Sequence, residues 1–150
     1  MTPVPTPSVT PVFASEEEAL AAAEESYKRY LRVSDAIAAE GGTHPERLSP
    51  YVTPEELRRA NEDFGSLQSA TRHMQGESKF DSLTLQRQDA QEIVVYLCLD
   101  VSEVRVIDAG GSDVTPASRV DRVPLEVAFA LDGSELLLDS SDVWDGENFC

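Results

Sequence analysis

Basic side chains are scarce in this sequence. Its 150 residues include 12 Lys and Arg against 28 Asp and Glu, a formal net charge of −16 at pH 7. Beyond Arg122 there are seven acidic residues and no basic one. Such a surface repels phosphate backbones and anionic membranes. We therefore expect no nucleic-acid partner, and interpret the acidic end either as a solvated surface or as a face for a cationic partner.

Cysteine is almost absent as well. The two cysteines, Cys98 and Cys150, lack the C-x-x-C spacing of zinc and redox sites. A thiol on the last residue would be an exposed oxidation liability, so the economical hypothesis is a Cys98–Cys150 disulfide, which implies export. Closing a loop of about 50 residues would stabilise the fold by roughly 4 kcal/mol. Two unrelated reduced thiols are the alternative.

The sequence offers little for metal or cofactor chemistry. Its two histidines, His44 and His73, fall at helix ends or loops, where a lone histidine is weak evidence for catalysis. Residues 139–147 are rich in oxygen ligands but do not follow the spacing of an EF-hand. We therefore predict no metal, no cofactor and no catalytic residue.

The sequence has no long hydrophobic run, and its N-terminal residues are rich in proline. No segment is long and apolar enough to cross a bilayer. The first eleven residues contain four prolines and no charge, a composition typical of an extended spacer. We predict a flexible tether over residues 1–14 and one domain over 15–150. The tether would follow a removed export or lipidation signal, and a disordered cytoplasmic leader is the alternative.

Two capping patterns predict helices in the first half of the domain. Ser15 and Glu18 form a capping box that opens a long helix, which ends at Gly41-Gly42. Thr53, Pro54 and Glu56 repeat the pattern and open a helix that runs to about residue 72. Between them, residues 43–48, with Pro45 early in the segment, are typical of a short helical turn.

In the second half of the domain, apolar residues alternate with others at every second position, the period of β-strands. In the longest apolar run, alternation places Ile93, Val95 and Leu97 on one face, and Tyr96, Cys98 and Asp100 on the other. A strand over about 78–87 needs a bulge near residue 82 to bury all its apolar residues. Further strands are predicted at 104–107, 123–131 and 135–138, with a hairpin turn at 132–133. The order predicts an α+β fold, with N-terminal helices packed on a curved antiparallel β-sheet.

Several strings carry a family resemblance: the Pro/Thr-rich leader, the long helix with Tyr27 and Tyr30, "HPERLSPYVTPEE", "VVYLCLDVS" and the closing "WDGENFC". They resemble exported bacterial lipoproteins with a nuclear-transport-factor-2-like (SnoaL-like) cone fold. The resemblance implies a pocket between the long helix and the concave sheet. The fold includes ketosteroid isomerase, polyketide cyclases and many non-catalytic binding domains, so it does not by itself define a function.

The pocket candidates are Tyr27 and Tyr30 on the long helix, with Tyr96 and Asp100 on the mixed face of the central strand. A carboxyl held in such a pocket has a raised pKa and can act as a base. By strand parity, however, a Cys98 that points outward takes Asp100 outward with it, which argues against an enzyme.

We therefore expect a non-enzymatic, extracytoplasmic domain, attached to the cell envelope or secreted. It would bind an unknown protein or a small apolar ligand, with a homodimer also open, and would meet the membrane only through a removed N-terminal anchor. The alternatives are an isomerase- or cyclase-type cavity enzyme and an acidic inhibitor or immunity-type protein for a basic partner.

Overall fold

Two helices cover one face of a four-stranded antiparallel sheet in the computed structural model, which describes residues 13–133 and 135–150. The sheet has the order β2-β3-β5-β6, and a separate two-stranded sheet joins β1 to β4. The α+β architecture predicted from the sequence is confirmed. The elements are α1 (Glu16–Ala39), a 3-10 turn (Pro45–Leu48), α2 (Pro54–Ser69), β1 (His73–Gln75), β2 (Lys79–Gln88), β3 (Glu92–Asp100), β4 (Arg105–Ile107), β5 (Arg122–Asp132) and β6 (Glu135–Val143).

Both helices begin where the capping patterns predicted. The hydroxyl oxygen of Ser15 accepts a hydrogen bond from the Glu18 amide at 3.2 Å, and that of Thr53 accepts one from the Glu56 amide at 3.3 Å. These bonds satisfy amides that have no partner within the helix. Helix α2 ends at Ser69, three residues before the predicted end, and Thr71 follows with a left-handed φ of 54°.

The predicted bulge in β2 is present, and a bulge bends the strand that carries it. Ser82 has a φ of 59°, and the β2–β3 register shifts between Asp81 and Thr84. The extra residue changes the parity of the strand, so that Phe80 and Leu83 both pack against the core despite their odd spacing.

Strand β1 was missed by the sequence analysis. It pairs His73 with Ile107 and Gln75 with Arg105. Three residues are too few to show a strand period. This small sheet also brings Gly76, with a φ of 99°, against the Glu103 carbonyl, closer than any side chain at that position would allow.

The core lies between α1 and the inner face of the sheet. Ile93, Val95 and Leu97 of β3 are completely buried there, as the alternation predicted. The ring of Tyr27, 1% exposed, meets Phe80 edge-on at 4.9 Å and Phe129 at 6.5 Å between centroids. These aromatic side chains occupy the centre of the helix–sheet interface, where the family resemblance implied a pocket.

Two residues of the predicted tether, 13 and 14, lie within the described residues. Phe13, assigned to the tether, is half-buried and packs against the core. The Ala14 amide donates a hydrogen bond to the carboxylate of Glu18 at 3.0 Å. The rest of the predicted tether, residues 1–12, lies outside the described residues.

Candidate functional site

Strand β3 separates the four predicted pocket residues onto two faces of the sheet. Tyr27 and Tyr30 lie on α1, on the inner side, with ring centroids 5.6 Å apart. Tyr96 and Asp100 project from the outer face, opposite the side on which Val95 and Leu97 contact the core. The structure therefore does not bring the four residues into one pocket, and their role in ligand binding stays a prediction.

The two tyrosines of α1 are poor proton acceptors. Burial raises the pKa of Tyr27 far above its usual range, and the neighbouring Tyr30 adds to the rise. Burial likewise raises the pKa of Tyr30 to about 12. An ordinary tyrosine is already protonated at neutral pH, and the raised pKa values make these two phenols weaker acids still, so Tyr27 serves as a core aromatic residue.

The pKa of Asp100 is lowered, whereas a carboxyl that acts as a general base at neutral pH needs a raised pKa. Its Oδ1 accepts hydrogen bonds from the Ser102 hydroxyl at 2.6 Å and from the Ser102 amide at 2.9 Å. These bonds lower the pKa of Asp100, with a smaller contribution from Arg122, whose Nη1 lies 3.7 Å from Oδ2. The idea of a raised pKa at this carboxyl is wrong, because Asp100 lies in a hydrogen-bonded turn at the end of β3 instead of in an apolar pocket.

The outer face is closed by the predicted disulfide. Cys98 and Cys150 are bonded, with their Cα atoms 5.7 Å apart and a sequence separation of 52. Cys98 is completely buried. Because successive side chains of a strand alternate, the bond draws the last residues over the face that carries Tyr96.

We call residues 144–150 the strap. At its start, the Trp144 amide donates a hydrogen bond to the Pro124 carbonyl at 2.8 Å, and at its end is the disulfide. Between these points the strap passes Tyr96, whose ring lies 5.2 Å from that of Trp144 and 5.8 Å from that of Phe149. Trp144 therefore packs on the outer face of the sheet.

An open cavity of about 560 Å³ lies at the strap, and four of the six residues that line it are exposed. Phe149 remains 44% exposed at its edge, an unusual position for a large apolar ring. Sequence reasoning missed the two strap aromatics as site residues, although the pairing of Cys98 with Cys150 would have placed them beside Tyr96. The cavity is lined by Tyr96, Trp144, Gly146, Glu147, Asn148 and Phe149.

A second groove, of about 540 Å³, runs between α1 and the start of β2. Its basic side chains include Lys28, 3.3 Å from Glu24, and Lys79, 2.6 Å from Glu103. Asp35, also in this groove, accepts hydrogen bonds from the amide and hydroxyl of Ser78 at 2.8 and 2.7 Å. The two hydrogen bonds between Ser78 and Asp35 join α1 to the residue that precedes β2.

Within 13–133 and 135–150, no three His, Cys, Asp or Glu side chains are grouped as metal ligands. No helix in these ranges is long and apolar enough to span a membrane.

The fold and the strap together define an α+β domain with two helices on a four-stranded antiparallel sheet, closed on its outer face by a disulfide. It is similar to the crystal structure of the intermembrane space region of the chloroplast protein ARC6, with a TM-score of 0.61 and 12% identity. The match covers 81% of this chain and 92% of that one, and at this identity it shows the fold alone. No protein-family model and no curated protein matches the sequence.

Proposed function

We propose that this chain is a non-enzymatic, extracytoplasmic binding or accessory domain of the lipoprotein type, with a nuclear-transport-factor-2-like fold and an N-terminal tether to the cell envelope. Its binding site is the cavity at the strap, and its partner is a small ligand or an unknown protein. A second copy of this chain is the alternative partner. The observation that carries the proposal is the disulfide that holds the strap across the outer face.

The disulfide supports a location outside the reducing cytoplasm. Structural disulfides persist in oxidising compartments and are rare in cytosolic proteins. Both cysteines of the sequence are joined in this bond, and neither is free. The similar structure is described as a region that lies in an intermembrane space, which is consistent with a domain of this shape working outside the cytosol.

The distribution of polar groups supports binding over catalysis. Asp100 is held with a lowered pKa, and Tyr27 is buried in the core with a raised one. Catalytic pairs need groups within hydrogen-bond reach of one substrate, whereas these two lie on opposite faces of the sheet. Three of the six residues that line the cavity at the strap are aromatic, and aromatic side chains are common in ligand sites.

The compartment is tested by counting thiols in the native protein. Cells of the native source are treated with a maleimide carrying polyethylene glycol, under unfolding conditions, before and after reduction. We expect no reactive thiol before reduction, two after it, and recovery of the protein in the envelope or secreted fraction. Two reactive thiols before reduction would contradict the proposal, and a Cys150→Ala variant, with one thiol before reduction, calibrates the assay.

The binding site is tested with N-phenyl-1-naphthylamine, a neutral probe that fluoresces in apolar surroundings. We expect saturable fluorescence with the wild type and its loss in Phe149→Ala. The matched control is Val120→Ala, because Val120 is another exposed apolar residue, 56% exposed, outside the strap. Equal fluorescence from wild type and Phe149→Ala would place the probe elsewhere and overturn the assignment of the site.

A further inference from the structure

The strap cavity has the chemistry of a site for an organic cation. We propose that it binds a ligand carrying a quaternary ammonium group of the trimethylammonium type, an inference that rests on the proposed role of the strap cavity as a binding site.

Three aromatic side chains line this one cavity. Tyr96 stands between the other two, 5.2 Å from the Trp144 ring and 5.8 Å from the Phe149 ring. A cation is attracted to the face of an aromatic ring within about 6 Å of its centroid, most strongly by tryptophan, and aromatic sites of this kind recognise quaternary ammonium groups. A volume of about 560 Å³ holds such a group with the rest of a small ligand.

The charge around the cavity has the matching sign. Glu147 lines it directly. In the strand register Tyr96 stands opposite Glu126, which in turn stands opposite Asp142. Directly paired residues of antiparallel strands project from the same face, so an acidic row extends from the Tyr96 ring across the outer face. The potential of these carboxylates attracts cations and repels anions.

The protein's own cations on this face already have partners. Arg87 lies 2.6 Å from Glu92, and Arg122 binds Asp81 at 2.8 Å. After Arg122 the sequence has no further Lys or Arg to fill the cavity. A quaternary ammonium suits these walls better than a lysine ammonium, because it has no N–H groups to leave without acceptors when it loses water.

The walls of the site depend on the disulfide. Phe149 directly precedes Cys150, and the strap is fixed to the sheet by the Trp144 amide at one end and by the bond to Cys98 at the other. Reduction frees the Phe149 end. The affinity for the cation is therefore expected to be high in the oxidised protein and to fall when the disulfide is reduced.

Trp144 is the only tryptophan of the sequence, so its fluorescence reports on the cavity directly. The oxidised protein is titrated at constant ionic strength with tetramethylammonium, with choline, and with 3,3-dimethyl-1-butanol, the uncharged analogue of choline. We expect saturable changes with both cations and roughly tenfold weaker binding of the neutral analogue, the scale of a partly desolvated cation–π contact. Phosphocholine and phosphatidylcholine vesicles test whether a lipid headgroup supplies the same group.

Variants assign the signal to the cavity. Phe149→Ala removes one wall, Glu147→Gln removes the nearest charge, and both are expected to weaken the binding of tetramethylammonium, as is reduction of the wild type. Val120→Ala is expected to bind as the wild type does. Equal affinity for choline and its neutral analogue would overturn the cation site while leaving an apolar binding domain. Failure of every ligand, together with failure of the neutral probe, would overturn the proposed function as well.

Discussion

The two faces of the central sheet are covered in different ways. On the inner face, Val95 and Leu97 of β3 are completely buried beneath α1, with Tyr27 and Phe129 in edge-on contact. On the outer face, the strap lies over Tyr96 and is fixed by a covalent bond to Cys98. Burial of apolar surface is enough to hold helix α1 against the inner face. The seven residues of the strap have no secondary structure, and a covalent crosslink holds them against the outer face.

The inner face contributes to the stability of the fold, whereas the outer face carries the candidate binding site. The inner aromatics are enclosed, so their contribution is to the free energy of unfolding. On the outer face Phe149 is 44% exposed beside a cavity, so part of its surface remains available to a ligand. The side chains of β3 that point to the inner face thus pack in the core, and those that point to the outer face include Tyr96, which lines the candidate site.

Truncation of an inner ring is expected to have the largest effect. Phe129→Ala removes a completely buried side chain and leaves a cavity, which lowers the free energy of unfolding by roughly 3–5 kcal/mol. Phe149→Ala, the same change at an exposed ring of the outer face, is expected to cost less than about 1 kcal/mol. Urea unfolding followed by far-UV circular dichroism measures both. Similar losses for the two variants would show that the strap belongs to the core.

Removal of the disulfide is the next effect in size. Cys150→Ala opens a loop of 52 positions and is expected to cost up to about 4 kcal/mol, through greater freedom of the unfolded chain. Because the sheet and α1 do not depend on the strap, the far-UV spectrum should persist while the emission of Trp144 shifts to longer wavelength. Reduction of the wild type is the matched control and should reproduce both changes. Loss of the far-UV spectrum in the folded baseline would contradict the separation of the two faces.

The inner face was largely predictable from the sequence. Its signals are local: the capping residues Ser15 and Thr53, the alternation of β3, and the parity change that requires a bulge at Ser82. Local patterns predict elements well when burial on one face is strong, because every second or every third to fourth residue must then be apolar.

The outer face was predictable only in part. The Cys98–Cys150 bond followed from the scarcity of cysteine, yet Trp144 and Phe149 were not recognised as site residues, because the strap has no period and its position depends on contacts distant in sequence. The same holds for β1, which is defined by its partner β4. The hydrogen bonds that lower the pKa of Asp100 come from the turn at Ser102, whose geometry strand parity does not describe.

The smallest expected effect on stability comes from the ion pair between Asp81 and Arg122, which lies on the outer face. Asp81 stands opposite Cys98 in the β2–β3 register, and its two carboxylate oxygens accept hydrogen bonds from Arg122 at 2.8 and 2.9 Å. These bonds, with a smaller one from Ser82, lower the pKa of Asp81 below its ordinary value of 3.8. A carboxyl whose pKa is lowered by folding stabilises the native state above its unfolded pKa, and this stabilisation is lost as the pH falls through the folded pKa.

Asp81→Asn is therefore expected to lower the melting temperature slightly at pH 7, with the difference from the wild type disappearing as the pH is taken below 3.8. Asp132→Asn is the matched control. It changes an exposed carboxylate that has no ion pair among the described residues, and Asn-Gly suits the hairpin turn as well as Asp-Gly does. The cost of Phe129→Ala should not vary over the same range, since apolar burial does not titrate. A difference between Asp81→Asn and wild type that persists in acid would show that the side chain contributes packing in place of charge, and the outer face would then resemble the inner one.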